Sequence, residues 1–183
     1  MKKHTTSSMK IIIVSDSHGN HKALSKLAKK FGKKAGLYIH LGDESDDAVV
    51  FERENLNTLK VPGIFEVSYA LPHTKNRLIH EVHGKKLLLT HTHKKNSHDP
   101  AYKPPLEQFL AQANAVLYGH THIPAIEKDL SGKFWINPGH LKENDNRGFP
   151  MSYAVMEITD DTFNVNIYRF DNDEILLNKT HSD

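Results

Sequence analysis

The sequence predicts a mixed α/β fold built on two packed sheets. Three observations lead there. Apolar strands and amphipathic helices alternate through the first part of the chain, a run of strands follows, and the polar clusters between them sit directly after strands. A length of 183 residues suits one domain and can bury a core without covalent cross-links.

The elements follow in order. Residues 10–15 open with a β-branched run, Ile11-Ile12-Ile13-Val14, and read as a buried strand. A polar loop, Ser15-Asp16-Ser17-His18-Gly19-Asn20, ends in a helix cap at Asn20. Leu24, Leu27, Ala28 and Phe31 fall at helical spacing, so residues 21–33 form an amphipathic helix with its lysines facing solvent. Residues 36–41 are a second strand that runs into Gly42-Asp43. Residues 46–59 are expected as a helix and residues 61–67 as a third strand. Residues 77–82 and 85–90 read as two strands joined at His83-Gly84, a hairpin signal. Pro105 starts a helix carrying Leu106, Phe109, Leu110 and Ala113 on one face. Residues 115–118 are a strand entering Gly119-His120-Thr121-His122. Strands are expected at 123–129, 133–137, 153–159 and 162–170, with turns at Ser131-Gly132 and Asp160-Asp161.

Composition narrows the function. The chain has no cysteine, which excludes disulfides, thiolate metal sites and cysteine nucleophiles. A net charge of +2 argues against a dedicated nucleic-acid binder. No apolar run approaches the ~20 residues a spanning helix needs, and no signal peptide is visible, so a cytoplasmic protein without membrane contact is expected. Residues 1–9 are expected to be a disordered extension, with Met9 as the true start or the preceding residues as vector sequence.

The chain holds 14 histidines, and position decides which of them matter. Asp16 and His18 follow the first strand and Asp43 follows the second. His91 and His93 follow the strand 85–90, and His120 and His122 follow 115–118. In α/β sheets, ligand sites gather beyond the carboxyl ends of strands, so these clusters can converge in space. Carboxylate oxygen with imidazole nitrogen suits Mn, Fe, Zn, Co or Ni better than Ca or Mg. Taken singly, each pair has an ordinary reading as a cap, a turn or a surface residue. As an ordered set at strand ends they point to divalent metal.

The order Asp16-Ser17-His18, Gly42-Asp43, His91, Gly119-His120-Thr121-His122, with Ile136-Asn137-Pro138-Gly139 behind it, resembles the calcineurin-like metallophosphoesterases. The likeness is to their small single-domain bacterial and archaeal members and runs from about Lys10 to Phe170. It implies an α/β/β/α sandwich with the metals at one edge, residues 10–183 forming a single domain. It further implies two divalent ions (Mn, Ni, Zn or Fe). The first would be held by Asp16, His18, Asp43 and His122, the second by Asp43, His91 and His120. Hydroxide would then attack phosphorus in line. The implied activity is a phosphodiesterase acting on a small phosphate ester.

One motif departs from the family. Where a Gly-Asn-His or Gly-Asn-Cys motif is usual, this chain reads Pro62-Gly63-Ile64-Phe65-Glu66, so Ile64 offers no ligand atom and Phe65 no proton. Three readings stay open: water completes a weaker second site, Glu66 or a neighbour supplies oxygen, or efficient catalysis has been lost. His93, two residues beyond His91, is the candidate for the missing proton donor, with a solvent-facing histidine as the plain alternative. His40 reads as packing or as support behind the ligands. The competing function is a catalytically weak protein-binding scaffold, because a subunit of the eukaryotic retromer coat resembles these enzymes.

Overall fold

Ile11, Ile12, Ile13 and Val14 are all fully buried. A strand can bury both of its faces only in the middle of a layered structure. Ile11 and Ile13 join one hydrophobic cluster, whereas Ile12 and Val14 join another with Leu24, Leu27 and Phe51. Alternation along β1 (Met9–Val14) thus separates two cores with one strand.

Residues 8–182 are described by the structure, a computed structural model. The first sheet places β1 beside β2 (Leu37–His40) and β3 (Thr58–Lys60), all parallel. The second contains the hairpin β4 (Arg77–Val82) and β5 (Lys85–Thr90), then β6 (Ala115–Leu117), β7 (Ala125–Lys128) and β8 (Phe134–Asn137). The chain then returns to the first sheet as β9 (Ser152–Ile158), β10 (Thr162–Arg169) and β11 (Ile175–Ser182). The strand orders are β11-β10-β9-β1-β2-β3 and β4-β5-β6-β8-β7.

Between the sheets lies the largest core, with Ile13, Ile39, Leu87, Leu117, Ile136, Met156 and Val165 among its members. The outer face of the first sheet is covered by α1 (His21–Phe31) and α2 (Val49–Arg53), which pack Leu24, Leu27 and Phe51 against Tyr38 and Tyr153. The outer face of the second is covered by α3 (Leu106–Leu110) against Leu88, Val116 and Tyr118. The layers therefore run α/β/β/α, as expected. No helix among the described residues is long and apolar enough to cross a membrane.

Boundaries shift by a few residues at several elements, and four places are notable. The helix expected over residues 46–59 is confined to α2 after a short 3₁₀ turn, Ser45–Ala48, and ends where Asn55 turns left-handed at φ +54°. The third strand is Thr58–Lys60, not residues 61–67, and pairs with β2 in register Tyr38 with Thr58. Its three residues are only half-buried, so they carry no strong apolar signal. The edge strand β11 was not anticipated for the same reason: it is mostly exposed. Finally, β1 begins at Met9, one residue inside the segment expected to be disordered, while residues 1–7 of that segment lie outside the described residues.

Because Ile13 is fully buried between the sheets, Ile13→Ala is expected to cost roughly 2–5 kcal/mol. Urea unfolding checks this: the midpoint should fall with the slope unchanged.

Candidate metal centre

The parallel neighbours β1 and β2 end side by side, and so do β5 and β6. The loops that leave them are stitched together past the end of each ladder. The Asp16 N–H donates to the Gly42 carbonyl at 2.8 Å, and the Gly119 N–H to the His91 carbonyl at 3.0 Å. A second pair of bonds crosses from one sheet to the other. His120 N–H donates to Asp16 Oδ2 at 3.0 Å, and His91 Nδ1 to the Leu41 carbonyl at 2.7 Å.

Turning this tightly requires unusual backbone. Asp16, His18, Asp43, His120 and His122 adopt φ of +51°, +47°, +51°, +67° and +61°. Left-handed conformation costs a non-glycine residue about 1–3 kcal/mol, and its concentration at one sheet edge marks a functional site. Two glycines allow the close approach: a Cβ on Gly119 would fall 1.9 Å from Ser15 Oγ, and one on Gly63 would fall 2.0 Å from Asp43 Oδ1.

The result is two groups of ligand-type atoms, Asp16 with His18, Asp43 and His122, and Asp43 with His91 and His120. Within each, the atoms lie within 4.8 Å of one another. Asp43 belongs to both. Its Oδ1 faces His91 Nε2 at 3.3 Å and its Oδ2 faces His18 Nε2 at 3.8 Å. Asp16 Oδ1 lies 3.2 Å from His122 Nε2.

The donor set fits divalent cations on a physical test. Asp16 Oδ1, His18 Nε2 and His91 Nε2 are buried and have no hydrogen-bond partner. A buried polar atom left unpaired costs about 1–3 kcal/mol. Three such atoms turned toward groups of ligand-type neighbours fit a site for divalent metal. Proton placement agrees. His91 Nδ1 faces a carbonyl and His122 Nδ1 faces Asp145 Oδ1 at 3.0 Å, so each donates there, and the neutral tautomer that does so has its lone pair at Nε2.

Electrostatics point the same way. Burial pushes the Asp16 carboxyl up, but the contact with His122 and the proximity of His91 outweigh it and hold the group below the usual carboxylate range. Asp43 is raised instead, chiefly by burial, with the neighbouring Asp16 charge adding to it. Burial, and then His91, push the His120 pKa down, which favours the form able to ligate.

A profile of the calcineurin-like phosphoesterase superfamily domain matches residues 9–161. The chain belongs to that superfamily. The probable metallophosphoesterase YsnB of Bacillus subtilis is 28% identical over 160 residues, spanning 87% of this chain and 90% of that protein. A conserved protein of Streptococcus pneumoniae TIGR4, described as a predicted phosphoesterase, has a crystal structure with TM-score 0.73 and 26% identity, covering 98% of this chain and 100% of its own. Vacuolar Protein Sorting 29 from Cryptosporidium parvum shares the fold at TM-score 0.72 and 15% identity, over 96% and 99% of the two chains.

Where the resemblance leads one to expect an amide, this chain has Ile64. Ile64 is buried, and Phe65 is 72% exposed with its ring edge-on to His98 at 5.1 Å. Glu66 stands outside both ligand groups. Its carboxylate accepts from Gly63 N (2.6 Å), Ser45 N (3.0 Å) and Ser45 Oγ (2.5 Å), and so anchors the loop. His93 also belongs to neither group. The chain bends after Thr90, so strand alternation no longer applies, and the His93 ring lies 4.6 Å from Tyr118, its pKa lowered by burial and by Lys94.

Further residues support the site, Asn137 from the Ile136-Asn137-Pro138-Gly139 motif and the others without a sequence signal. Asn137 is fully buried and donates to the Gly119 carbonyl (3.0 Å) and Thr121 Oγ1 (2.9 Å), holding the Gly-His-Thr-His turn in place. Asp47 accepts from Ser17 Oγ (2.6 Å) and Gly19 N (2.8 Å) and bonds His21 Nε2 (2.7 Å). Asp145 was not anticipated either.

His40 supports the site from behind. It is fully buried. Ser17 Oγ donates to Asp47 and so accepts from His40 Nε2 at 2.8 Å, while His40 Nδ1 accepts from Gly42 N at 3.3 Å. A second ring proton would face the Gly42 N–H, and burial pushes the His40 pKa down to about 4. The unfolded chain takes up this proton near pH 6.5 and the folded chain only near 4, so the contribution is complete above 6.5 and lost as pH falls toward 4. That loss is on the order of 3 kcal/mol. Urea unfolding of the metal-free protein at pH 7 and 4.5 should show it, and His40→Asn should flatten that part of the pH dependence.

Proposed function

We propose that the two groups each hold a divalent ion and that the chain hydrolyses a small phosphodiester. The first ion takes Asp16, His18, Asp43 and His122, and the second takes Asp43, His91 and His120. The observation that carries this reading is the Asp43 carboxylate, which turns one oxygen toward each imidazole cluster. Mixed nitrogen and oxygen donors suit Mn, Ni, Zn or Fe.

Bound there, such ions lower the pKa of a water molecule and neutralise charge on phosphoryl oxygens. The chain's part is to hold and orient them. Asp16 and Asp43 supply negative charge, and His91 and His122 keep their Nε2 lone pairs turned inward because Leu41 and Asp145 occupy Nδ1. Ile64 adds no donor, so the second ion has three protein ligands and solvent completes its shell. We assign no proton transfer to His93, whose ring rests on Tyr118. The near-neutral net charge of +2 favours a small ester over a polyanionic polymer.

A second reading is a protein-binding scaffold. It is favoured by the missing amide and imidazole and by the exposed side chains of Phe65 and Val67 beside that loop. The complete first ligand group weighs against it.

Elemental analysis of protein purified without chelator is expected to give two ions per chain. Hydrolysis of bis-p-nitrophenyl phosphate with added Mn²⁺ should fall by about 100-fold or more in Asp43→Ala. That equals or exceeds the ~10–100-fold typical of residues that only support a ligand. Absence of hydrolysis in the wild type, with no ion bound, would replace the enzyme reading by the scaffold.

A further inference from the structure

Asp145 lies in the irregular segment between β8 and β9, remote from every strand end that carries a ligand. Its side chain is nevertheless only 2% exposed. Oδ1 accepts from His122 Nδ1 at 3.0 Å, and Oδ2 accepts from Arg147 N at 3.2 Å. Arg147 then donates from Nη1 to the His120 carbonyl at 3.0 Å. On another side, the His140 ring stacks on His122 with centroids 5.1 Å apart. A short turn therefore grips the Gly-His-Thr-His loop from behind.

His122, His140 and Asp145 also bring ligand-type atoms within 4.8 Å of one another. Two of their nitrogens are already engaged. His122 Nδ1 is committed to Asp145, and His140 Nε2 donates to the Phe149 carbonyl at 3.1 Å. The arrangement instead has the form of a carboxylate behind a ligating imidazole. Such a carboxylate fixes the tautomer, aligns the ring and raises the basicity of the nitrogen facing the metal.

We infer that Asp145 is a positioning residue that sets the affinity of the first ion by orienting His122. This rests on the two-ion reading above. Asp16 and His18 are also presented to that ion from strained loops, so the orientation of His122 decides whether the fourth donor points at it.

Calorimetric titration of Mn²⁺ into metal-free full-length protein tests this, with circular dichroism as the check on folding. The wild type should bind two ions. Asp145→Ala should lose about 10–100-fold in affinity for one ion and nothing for the other. Asp145→Asn, which keeps an acceptor oxygen but not the charge, should fall between the two proteins, and it carries the test where the alanine variant fails to fold. Arg147→Gln cuts the tie to His120 and leaves His122 Nδ1 paired, so the affinity of the Asp145-dependent ion should stay at the wild-type value. Wild-type affinity for both ions in the Asp145 variants would overturn the inference. So would an equal loss in Arg147→Gln, because that would make the segment a loop anchor only. A wild type that binds no Mn²⁺ would instead remove the two-ion reading, and this inference with it.

Discussion

The carboxylate of Asp16 has no solvent access, and much of the site follows from that. An ionised carboxylate so placed loses its hydration and must recover the cost from its surroundings. The chain supplies one backbone donor, His120 N, to Oδ2, and only imidazole nitrogen at the edge of Oδ1. An imidazole that turns a lone pair toward a cation cannot also donate a proton to this oxygen. A cation can offset the carboxylate's charge, and the unpaired Oδ1 beside the unpaired His18 Nε2 is where one belongs. The same carboxylate ties the sheets together, since Asp16 leaves the first and His120 leaves the second. Removing the charge would therefore loosen both the ligand geometry and the join between layers.

Holding that edge closed means holding strain. Five ligand-type residues sit in the left-handed region, and such conformations persist only where neighbouring structure over-determines them. Here the neighbours are β1, β2, β5 and β6, whose residues leading into the loops are almost all fully buried. The central core acts as the clamp. Bonds that extend the ladders, from Asp16 N to Gly42 O and from Gly119 N to His91 O, pass its rigidity into the loops. The strands end where they do because the chain must reverse hand to point carboxylates and imidazoles inward.

Much of this was legible before the fold was known. Strands buried on both faces announce themselves through unbroken apolar runs, as Ile11 to Val14 does. The β4–β5 hairpin was readable to the residue because His83-Gly84 is a turn pair, both at positive φ. The ligand-type residues were legible because each abuts a strand end, so local pattern and tertiary position coincide. The half-buried β3 and the exposed β11 were not, because pairing to a neighbouring strand, and not apolar content, makes them strands. Asp47 and Asp145 escaped for a related reason. They reach partners 23 to 30 residues away from irregular or short helical segments, so no spacing rule links them to the ligands they serve. Asn137 was legible only through its motif, and it reaches back 16 and 18 residues to the Gly119 turn. His93 shows the converse: the alternation that related it to His91 ended with the strand.

The substitution at residue 64 is best understood as a loss of donor without a loss of shape. Gly63 still lies against Asp43 more closely than any side chain would allow, and Glu66 still binds the loop through Gly63 and Ser45. Ile64 is packed inward while Phe65 is left in solvent. The loop therefore keeps Asp43 in position even though it adds no ligand. Under the two-ion reading the consequence is asymmetric. The first ion has four donors from the chain, whereas the second has three and remains open to solvent. Open coordination is what catalytic sites retain and structural sites close. On that reading, the absence of a donor at Ile64 would weaken the hold of Asp43, His91 and His120 on a second ion, so metal concentration would limit the chemistry that ion could supply.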